Sequence, residues 1–354
     1  MARTSSRRSD PIRKHRIANA SRTTGKLKAL DARPQYGDLP GVASCFSAAF
    51  PVCLFVCLAA CGSTPTTTPV RYAGEANAER LPGLAACSDA QPEELEIRPD
   101  EPLVLLVHGC FSSGGRFRSL AKVFELKGQQ TLCFNYSDRD SISASAAELA
   151  RVLRWLHKNH GGEITVLGHS QGGLVARLAM ARIEPTEGKD GMRLVSVSTP
   201  FGGVDAATHC GWLALHVVTL GVTVAICQMI TGSDWVDLHP SSTLVRHPEA
   251  LPPLIKEHIA IVTDERNSCR RRKANGDCDE DDYVFSLGEQ TSAALLKDRR
   301  ARLITIVEGH SAVVGQGGRR PQKLIDVLLR EGILRKTPVA GTHAFNQALD
   351  RIYR

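Results

Sequence analysis

The sequence lacks the patterns that most readily identify metal-binding and nucleotide-binding proteins. It contains no cysteine and histidine set at zinc spacing and no glycine-rich phosphate loop. It also contains no internal repeat. These absences leave no reason to expect a metal ion or another cofactor, so any chemistry is expected to depend on the side chains themselves.

Excess charge is absent from most of the chain. The formal net charge of +7 arises within residues 1–60, which hold ten Lys or Arg and three Asp, while the remaining residues hold 34 of each sign. Because the charges of residues 61–354 sum to zero, composition gives no basis for nucleic-acid binding. A hydrophobic content of 42% and a charged content of 23% over 354 residues suit one large folded α/β domain.

The N-terminal residues have the pattern of an export signal. An apolar run over residues 46–60 is too short to span a bilayer comfortably but suits a signal-peptide core. It ends in Leu58-Ala59-Ala60-Cys61, which resembles a bacterial lipobox and implies lipidation of Cys61. The alternatives are an ordinary signal peptide or a core helix. The expected location is the bacterial cell envelope, lipid-anchored or secreted, with the membrane contacted through the lipid anchor.

Beyond the signal, strand-like and helix-like segments alternate. Strands are predicted at 103–108, 130–136, 164–168, 192–198, 258–262 and 302–307, and helices at 119–127, 142–158, 172–183 and 322–334. This alternation predicts a mainly parallel sheet with helices on both faces. The expected organisation is a signal segment (1–60), a linker (61–100), an α/β domain (101–335) with a lid insertion around 204–245, and a C-terminal tail (336–354).

Between one predicted strand and helix lies the pentapeptide Gly168-His169-Ser170-Gln171-Gly172. A serine on a sharp strand-to-helix turn needs small neighbours, and Gly168 and Gly172 supply them. In this context the segment resembles the nucleophile turn of α/β-hydrolases, especially bacterial lipases and esterases. The resemblance implies the α/β-hydrolase fold, with Ser170 as the nucleophile and His169 as part of the supporting turn.

A second loop has the features of an oxyanion hole. The first recognised strand ends in His108-Gly109-Cys110, which resembles the oxyanion loop of lipases. The resemblance implies that the backbone amides of Cys110 and Gln171 would bind the developing oxyanion. It also implies that His108 and Gly109 support the loop and that His108 is not the catalytic base.

The base and the acid are expected further along the chain. Glu308-Gly309-His310-Ser311 follows the last predicted strand and resembles the lipase ending, which makes His310 the candidate base. The acid is less clearly marked, because several carboxylates follow strand 258–262. Asp282, in a segment that resembles the lipase pattern, is the first choice, and Asp281 and Asp264 are the alternatives among Asp264, Glu265, Asp277, Asp279, Glu280, Asp281 and Asp282. Solvated charge is a better interpretation of this cluster than a calcium site.

Cysteine usage is consistent with export, because an oxidising compartment permits disulfides. Of eleven cysteines, seven lie beyond Cys61. Cys269 with Cys278 is the first expected pair, since they flank a short charged loop. Cys210 with Cys227 is the second, and free buried cysteines are the alternative for each pair.

Two segments bear on the substrate. Ser198-Thr199-Pro200 resembles a segment of lipases and glycolipid deacylases that have a lid nearby, and residues 211–230 are almost entirely apolar. These residues are expected to form a lid or to line an acyl pocket, with a core helix as the alternative. Together the motifs predict a serine esterase or lipase that acts on a lipid or hydrophobic ester through an acyl-enzyme, with no obligatory protein partner. A thioesterase, amidase or acyltransferase of the same fold, and a non-catalytic binding lipoprotein, are the alternatives.

Overall fold

A computed structural model describes residues 67–184, 191–207, 234–336 and 341–354. The predicted signal segment, the predicted lipidation site Cys61 and the apolar residues 211–230 lie outside these ranges. In the described part of the chain no helix is both long enough and apolar enough to cross a membrane.

The described residues form twelve strands, most of them in one central sheet. They are β1 (Pro69–Tyr72), β2 (Glu79–Arg80), β3 (Leu84–Ala85), β4 (Leu95–Ile97), β5 (Leu103–Val107), β6 (Gln130–Phe134), β7 (Ile164–His169), β8 (Met192–Val197), β9 (Ile255–Asp264), β10 (Cys269–Arg272), β11 (Cys278–Asp281) and β12 (Ala301–Val307). The central sheet has the order β12-β9-β8-β7-β5-β6-β3. Its first six strands are parallel and β3 is antiparallel, so the predicted mainly parallel sheet is confirmed.

Helices in the described residues cover the sheet. They are α1 (Arg118–Glu125), α2 (Ile142–Asn159), α3 (Gln171–Ala181), α4 (Asp234–Leu238), α5 (Thr243–Arg246), α6 (Ala293–Lys297), α7 (Gln322–Arg330) and α8 (Thr342–Ile352). The longest, α2, begins after Ser141, whose side chain accepts a hydrogen bond from the amide of Ala144 at 3.1 Å. This contact satisfies one of the amides that a helix leaves open at its N-terminus.

Every residue of β5 is buried, because the sheet has a core on each face. Leu105 and Val107 point to the face covered by α2 and α3, whereas Val104 and Leu106 point to the face covered by α1 and α7. The alternation follows from the two-residue repeat of a strand. A continuous apolar run is therefore what this position in the sheet requires.

Residues 61–100 were expected to form a linker, but most of this segment is folded. From Pro69 onward the chain forms a small sheet of order β2-β1-β4 and then adds β3 to the edge of the central sheet. Val70, Tyr72 and Ile97 are buried in the main core. The prediction failed because these strands are only two to four residues long, which is too short for a clear strand periodicity.

The C-terminal residues also differ from the expected tail. Thr342–Ile352 forms helix α8, which packs against α1. Its Leu349 is completely buried in the core that includes Phe124 and Leu328. The burial of Leu349 depends on packing against α1, which is more than 200 residues away in the sequence, and the local pattern of the helix does not specify that contact.

Two disulfides lie in the described residues. The predicted pair Cys269–Cys278 is confirmed and joins β10 to β11. Cys87–Cys133, which the sequence analysis did not propose, ties the N-terminal segment to β6. The predicted pair Cys210–Cys227 lies outside the described residues.

The two disulfides are expected to stabilise the protein to different degrees. Cys87–Cys133 closes 46 residues and Cys269–Cys278 closes nine. The longer loop restricts the unfolded chain more, so replacing both members of the first pair with alanine should lower the free energy of unfolding by about 4 kcal/mol. The matched Cys269→Ala/Cys278→Ala protein should lose about 2.5 kcal/mol. Urea unfolding of the three proteins measures the difference, and an equal loss for both pairs would contradict it.

Candidate active site

Ser170 occupies a turn between β7 and α3 in which its backbone conformation is unfavourable and is held by the surrounding structure. Its φ is +56° and its ψ −131°, an unfavourable combination for a residue with a side chain. The amide of Ser170 donates to the carbonyl of Val197 at 2.9 Å, which ties the turn to β8. The hydroxyl of Ser170 consequently projects beyond the carboxyl ends of the parallel strands, at the start of helix α3.

The glycines around Ser170 are required by close backbone contact. A Cβ on Gly172 would lie 2.3 Å from the carbonyl oxygen of His108, and one on Gly168 would lie 2.4 Å from the carbonyl oxygen of Gly172. Neither neighbour is a flexible side chain that moves aside. The two glycines that the sequence analysis singled out therefore let β7, α3 and the β5 loop approach one another.

His310 follows β12, and its ring lies beside Ser170. Ser170 Oγ is 3.2 Å from Nε2 of His310. Both residues are buried, with 7% of each exposed. The two strands that precede them, β7 and β12, end at the same edge of the parallel sheet, which explains how residues 140 positions apart meet.

The carboxylate beside the other nitrogen of His310 belongs to Glu265, which directly follows β9. Nδ1 of His310 donates to Oε1 of Glu265 at 3.0 Å. Strand β9 pairs with β12 in parallel, and Asp264 lies opposite Val307. The segments that follow the two strands, which contain Glu265 and His310, therefore begin side by side. The contacts of Ser170 with His310 and of His310 with Glu265 form one continuous hydrogen-bonded chain.

Glu265 is 1% exposed and is held by several donors. Ser198 Oγ donates to its Oε1 at 2.6 Å and Thr263 Oγ1 donates to the same atom at 2.8 Å. The amides of Val284 and Phe285 donate to Oε2 at 2.6 and 2.9 Å. Burial alone would raise the pKa of Glu265, but the hydrogen bonds and the charge of His310 outweigh it and hold that pKa below its ordinary value.

Asp282 was predicted to be the acid, and its contacts correct that assignment. Its carboxylate accepts from the amides of Ser311 at 3.0 Å and Ala312 at 3.0 Å, and its carbonyl accepts from the amide of His310 at 2.9 Å. It is the backbone after β12, and not the imidazole, that Asp282 binds. Asp282 therefore fixes the His310 loop, while Glu265 contacts the ring.

The two alternatives for the acid also lie elsewhere. Asp264 forms an ion pair with Arg266 at 2.5 Å, which lowers the pKa of Asp264. Asp281 ends β11, and its side chain accepts from the amide of Tyr283 at 3.2 Å. Glu265 was among the carboxylates after the predicted strand 258–262, but it directly follows the strand only because β9 extends to Asp264. The resemblance of the Asp282 segment to the lipase pattern directed the choice away from it.

Two further histidines act on the backbone around the site. His169 Nε2 donates to the carbonyl of His310 at 2.9 Å. Burial, reinforced by the neighbouring charge of His310, lowers the pKa of His169 to about 3, so this ring stays neutral near pH 7. His108 donates from Nδ1 to the carbonyl of Gly109 at 2.9 Å, and burial lowers its pKa as well. Each ring therefore contacts a backbone carbonyl of a loop beside Ser170.

The predicted oxyanion loop lies against Ser170. A Cβ on Gly109 would be 2.7 Å from the Cβ of Ser170, so the backbone of this loop packs directly on the serine. Cys110 follows Gly109, and its thiol donates a hydrogen bond to the side-chain oxygen of Gln171. The two residues whose amides were predicted to bind an oxyanion are therefore in contact with each other beside Ser170.

A cavity of about 490 Å³ opens above Ser170 and His310. Its apolar lining includes Val204, Leu238 and Phe285. Among the residues that the structure describes, no group of three or more His, Cys, Asp or Glu side chains is placed to hold a metal ion. The acidic residues of the β10–β11 hairpin instead form ion pairs, Arg270 with Glu280 at 3.0 Å and Arg271 with Asp279 at 2.8 Å.

A model of the α/β-hydrolase fold family matches residues 102–201, which include β5, the oxyanion loop, the Ser170 turn and β8. This match agrees with the observed structure, in which a mainly parallel sheet carries the Ser170 turn at the carboxyl ends of its strands. The chain has the α/β-hydrolase fold. No curated protein sequence matches the chain.

Solved structures resemble this α/β-hydrolase fold at low identity. The mature lipase BlEst2 of Bacillus licheniformis is 13% identical, with a TM-score of 0.44, and the match covers 66% of this chain and 92% of that one. The esterase Pf2001 of Pyrococcus furiosus is 14% identical, with a TM-score of 0.38 and coverage of 65% and 81%. A putative thioesterase of Silicibacter sp. is 15% identical, with a TM-score of 0.38 and coverage of 60% and 71%.

The contacts of Glu265 and Asp282 predict different effects of removing each charge. Glu265→Gln should lower kcat for an activated ester by about 10³- to 10⁴-fold, because a neutral amide does not stabilise the protonated imidazole. Asp282→Asn should lower it by only about tenfold, because one carboxamide oxygen still accepts from the loop amides. Initial rates with a 4-nitrophenyl ester give both values.

Unfolding midpoints of the two variants serve as the control for folding. If Asp282→Asn costs more activity than Glu265→Gln while both proteins remain folded, Asp282 and not Glu265 is the acid.

Proposed function

We propose that this protein is a serine hydrolase that cleaves carboxylic esters whose acyl chain packs against the apolar side chains of the cavity above Ser170. The observation that carries the proposal is the chain of contacts from Ser170 through His310 to Glu265, at 3.2 and 3.0 Å. A serine hydroxyl is a weak nucleophile until a neighbouring base accepts its proton. The buried carboxylate supplies the charge that makes His310 an effective base.

The proposed reaction proceeds in two halves. Ser170 Oγ attacks the ester carbonyl carbon while Nε2 of His310 takes the hydroxyl proton, and Glu265 stabilises the resulting imidazolium. The carbonyl oxygen becomes an oxyanion, which the amides of Gln171 and Cys110 bind. His310 returns the proton to the departing alcohol, leaving an acyl-enzyme. Water, activated by His310, then releases the acid and regenerates Ser170.

An apolar acyl group suits the cavity. Val204, Leu238, Val284 and Phe285 line it close to Ser170 and His310. Phe111, 67% exposed, lies at the same cavity on the predicted oxyanion loop. Burying apolar substrate surface against these side chains would supply about 25 cal/mol per Å². This energy supports the binding of esters whose acyl chain has an apolar segment.

Labelling with a fluorophosphonate probe tests the nucleophile. The wild-type protein should be labelled once, and Ser170→Ala and His310→Ala should not be labelled, because the probe needs an activated serine. Ser241→Ala provides a matched control. Ser241 also contacts a histidine, His239, at 2.7 Å, but it is exposed and belongs to no chain of contacts with a carboxylate in the described residues. Labelling that persists in Ser170→Ala, or a folded wild-type protein that is never labelled, would refute the proposal.

We also propose that the enzyme acts at the bacterial cell envelope, anchored through a lipid on Cys61. The two disulfides support an oxidising location. The full-length protein should fractionate with membranes when expressed in a bacterium, and Cys61→Ser should release it. Cys57→Ser, four residues upstream, should remain with the membranes. Membrane association of Cys61→Ser, or release of both variants, would contradict the proposal.

A further inference from the structure

Three arginines line the cavity above Ser170, and they come from three separate segments. Arg116 lies in the short helix Gly114–Phe117 after the oxyanion loop. Arg270 lies in β10, and Arg319 follows the turn Gln316–Gly318. All three residues are exposed.

Little negative charge opposes them. Among the described residues that line the cavity, Asp282 is the one carboxylate, and it is 1% exposed and accepts from the amides of Ser311 and Ala312. The lining therefore carries an excess of two positive charges. Between Val204 and Leu238, which both line the cavity, the sequence contains three carboxylates, Asp205, Asp234 and Asp237, and none of them is among the described lining residues.

The three arginines differ in the hydrogen bonds and ion pairs that they make with the rest of the protein. The Arg116 side chain makes no hydrogen bond or ion pair with the residues that the structure describes. Arg319 donates to the carbonyls of Cys269 and Arg270, which orient its guanidinium without neutralising it. Arg270 is shared between Glu280 at 3.0 Å and Asp282 at 3.3 Å. Arg116 and Arg319 thus retain a full positive charge at the cavity.

The same cavity has an apolar part. Leu238, Val284 and Phe285 line it together with Ser170 and His310. A ligand that satisfies both parts has an apolar chain and, several atoms away, a negatively charged group. Guanidinium groups bind carboxylates and phosphates through paired charge-assisted hydrogen bonds, which an uncharged ester does not offer.

We propose that the natural substrate is an ester that bears an anionic group, a carboxylate or a phosphate, which Arg116 and Arg319 bind. The inference rests on the proposed ester hydrolysis and names its substrate class. Arg116 and Arg319 act as specificity residues, because they contact the non-reacting part of the substrate. Positive charge at the cavity also accelerates the approach of an anionic ester, and salt weakens this effect.

Two matched substrate pairs test the proposal. The first is mono-4-nitrophenyl glutarate against 4-nitrophenyl pentanoate, whose acyl chains have the same length and differ in the terminal carboxylate. The second is dihexanoyl phosphatidic acid against dihexanoylglycerol, which differ in the phosphate. The purified protein should hydrolyse one or both anionic members with a kcat/KM about tenfold above that of the neutral member at low ionic strength. Added NaCl should reduce that ratio.

The arginine variants assign the preference to the cavity. Arg116→Gln and Arg319→Gln should each reduce the anionic-to-neutral ratio of kcat/KM by about fivefold to tenfold. Arg118→Gln is the matched control, since Arg118 lies two residues from Arg116, is paired with Asp89 at 3.4 Å and does not line the cavity. It should leave the ratio unchanged.

The outcomes separate the two proposals. A preference for the glutarate ester alone identifies a carboxylate, a preference for phosphatidic acid alone identifies a phosphate, and either supports the inference. Equal or better hydrolysis of the neutral members overturns the inference while ester hydrolysis itself stands. An anionic preference that survives in both variants also overturns it. If no ester is hydrolysed and the fluorophosphonate probe does not label Ser170, the proposed function fails and the inference fails with it.

Discussion

The contact between the imidazole of His310 and the buried carboxylate of Glu265 is the interaction on which the rest of the candidate site depends. At 3.0 Å it fixes which nitrogen of His310 faces Ser170. A buried charge is costly unless it is fully hydrogen-bonded. Ser198, Thr263 and the amides of Val284 and Phe285 supply the donors, and they bring the ends of β8 and β9 and the chain after β11 to one place. The arrangement of loops around Ser170 follows from satisfying this one carboxylate.

Asp282 complements that arrangement from the other side of His310. Glu265 orients the imidazole ring, whereas Asp282 holds the three successive backbone amides of residues 310, 311 and 312. The disulfide-linked β10–β11 hairpin lies between these two acidic residues in the chain, so the Cys269–Cys278 bond restricts the segment that positions both. The same hairpin carries Arg270 to the cavity. The carbonyls of Cys269 and Arg270 also accept hydrogen bonds from Arg319, so the positions of the base and of one cavity arginine depend on one short, covalently closed segment.

The sequence predicted the features that local patterns encode. The six longer strands of the central sheet, the turn around Ser170 and the placement of His310 after the last strand all follow from apolar periodicity and small residues at defined positions. The acid did not follow, because seven carboxylates lie after strand 258–262 and only the register of β9 against β12 places Glu265 at Nδ1. The short strands β1 to β4 and helix α8 were missed because their burial depends on long-range packing. The cationic lining was not predictable, since its three arginines are far apart in sequence and face one cavity only in the fold.

The central claim is that Ser170 forms a covalent acyl intermediate. Rapid mixing of the protein with 4-nitrophenyl acetate, followed by acid quenching and peptide mass analysis, tests it most directly. We expect a burst of nitrophenol near one equivalent per protein, and one acetyl group on the peptide that contains Ser170. Hydrolysis without an acetylated Ser170 peptide at any quench time, or acetylation of a different residue, would contradict the account.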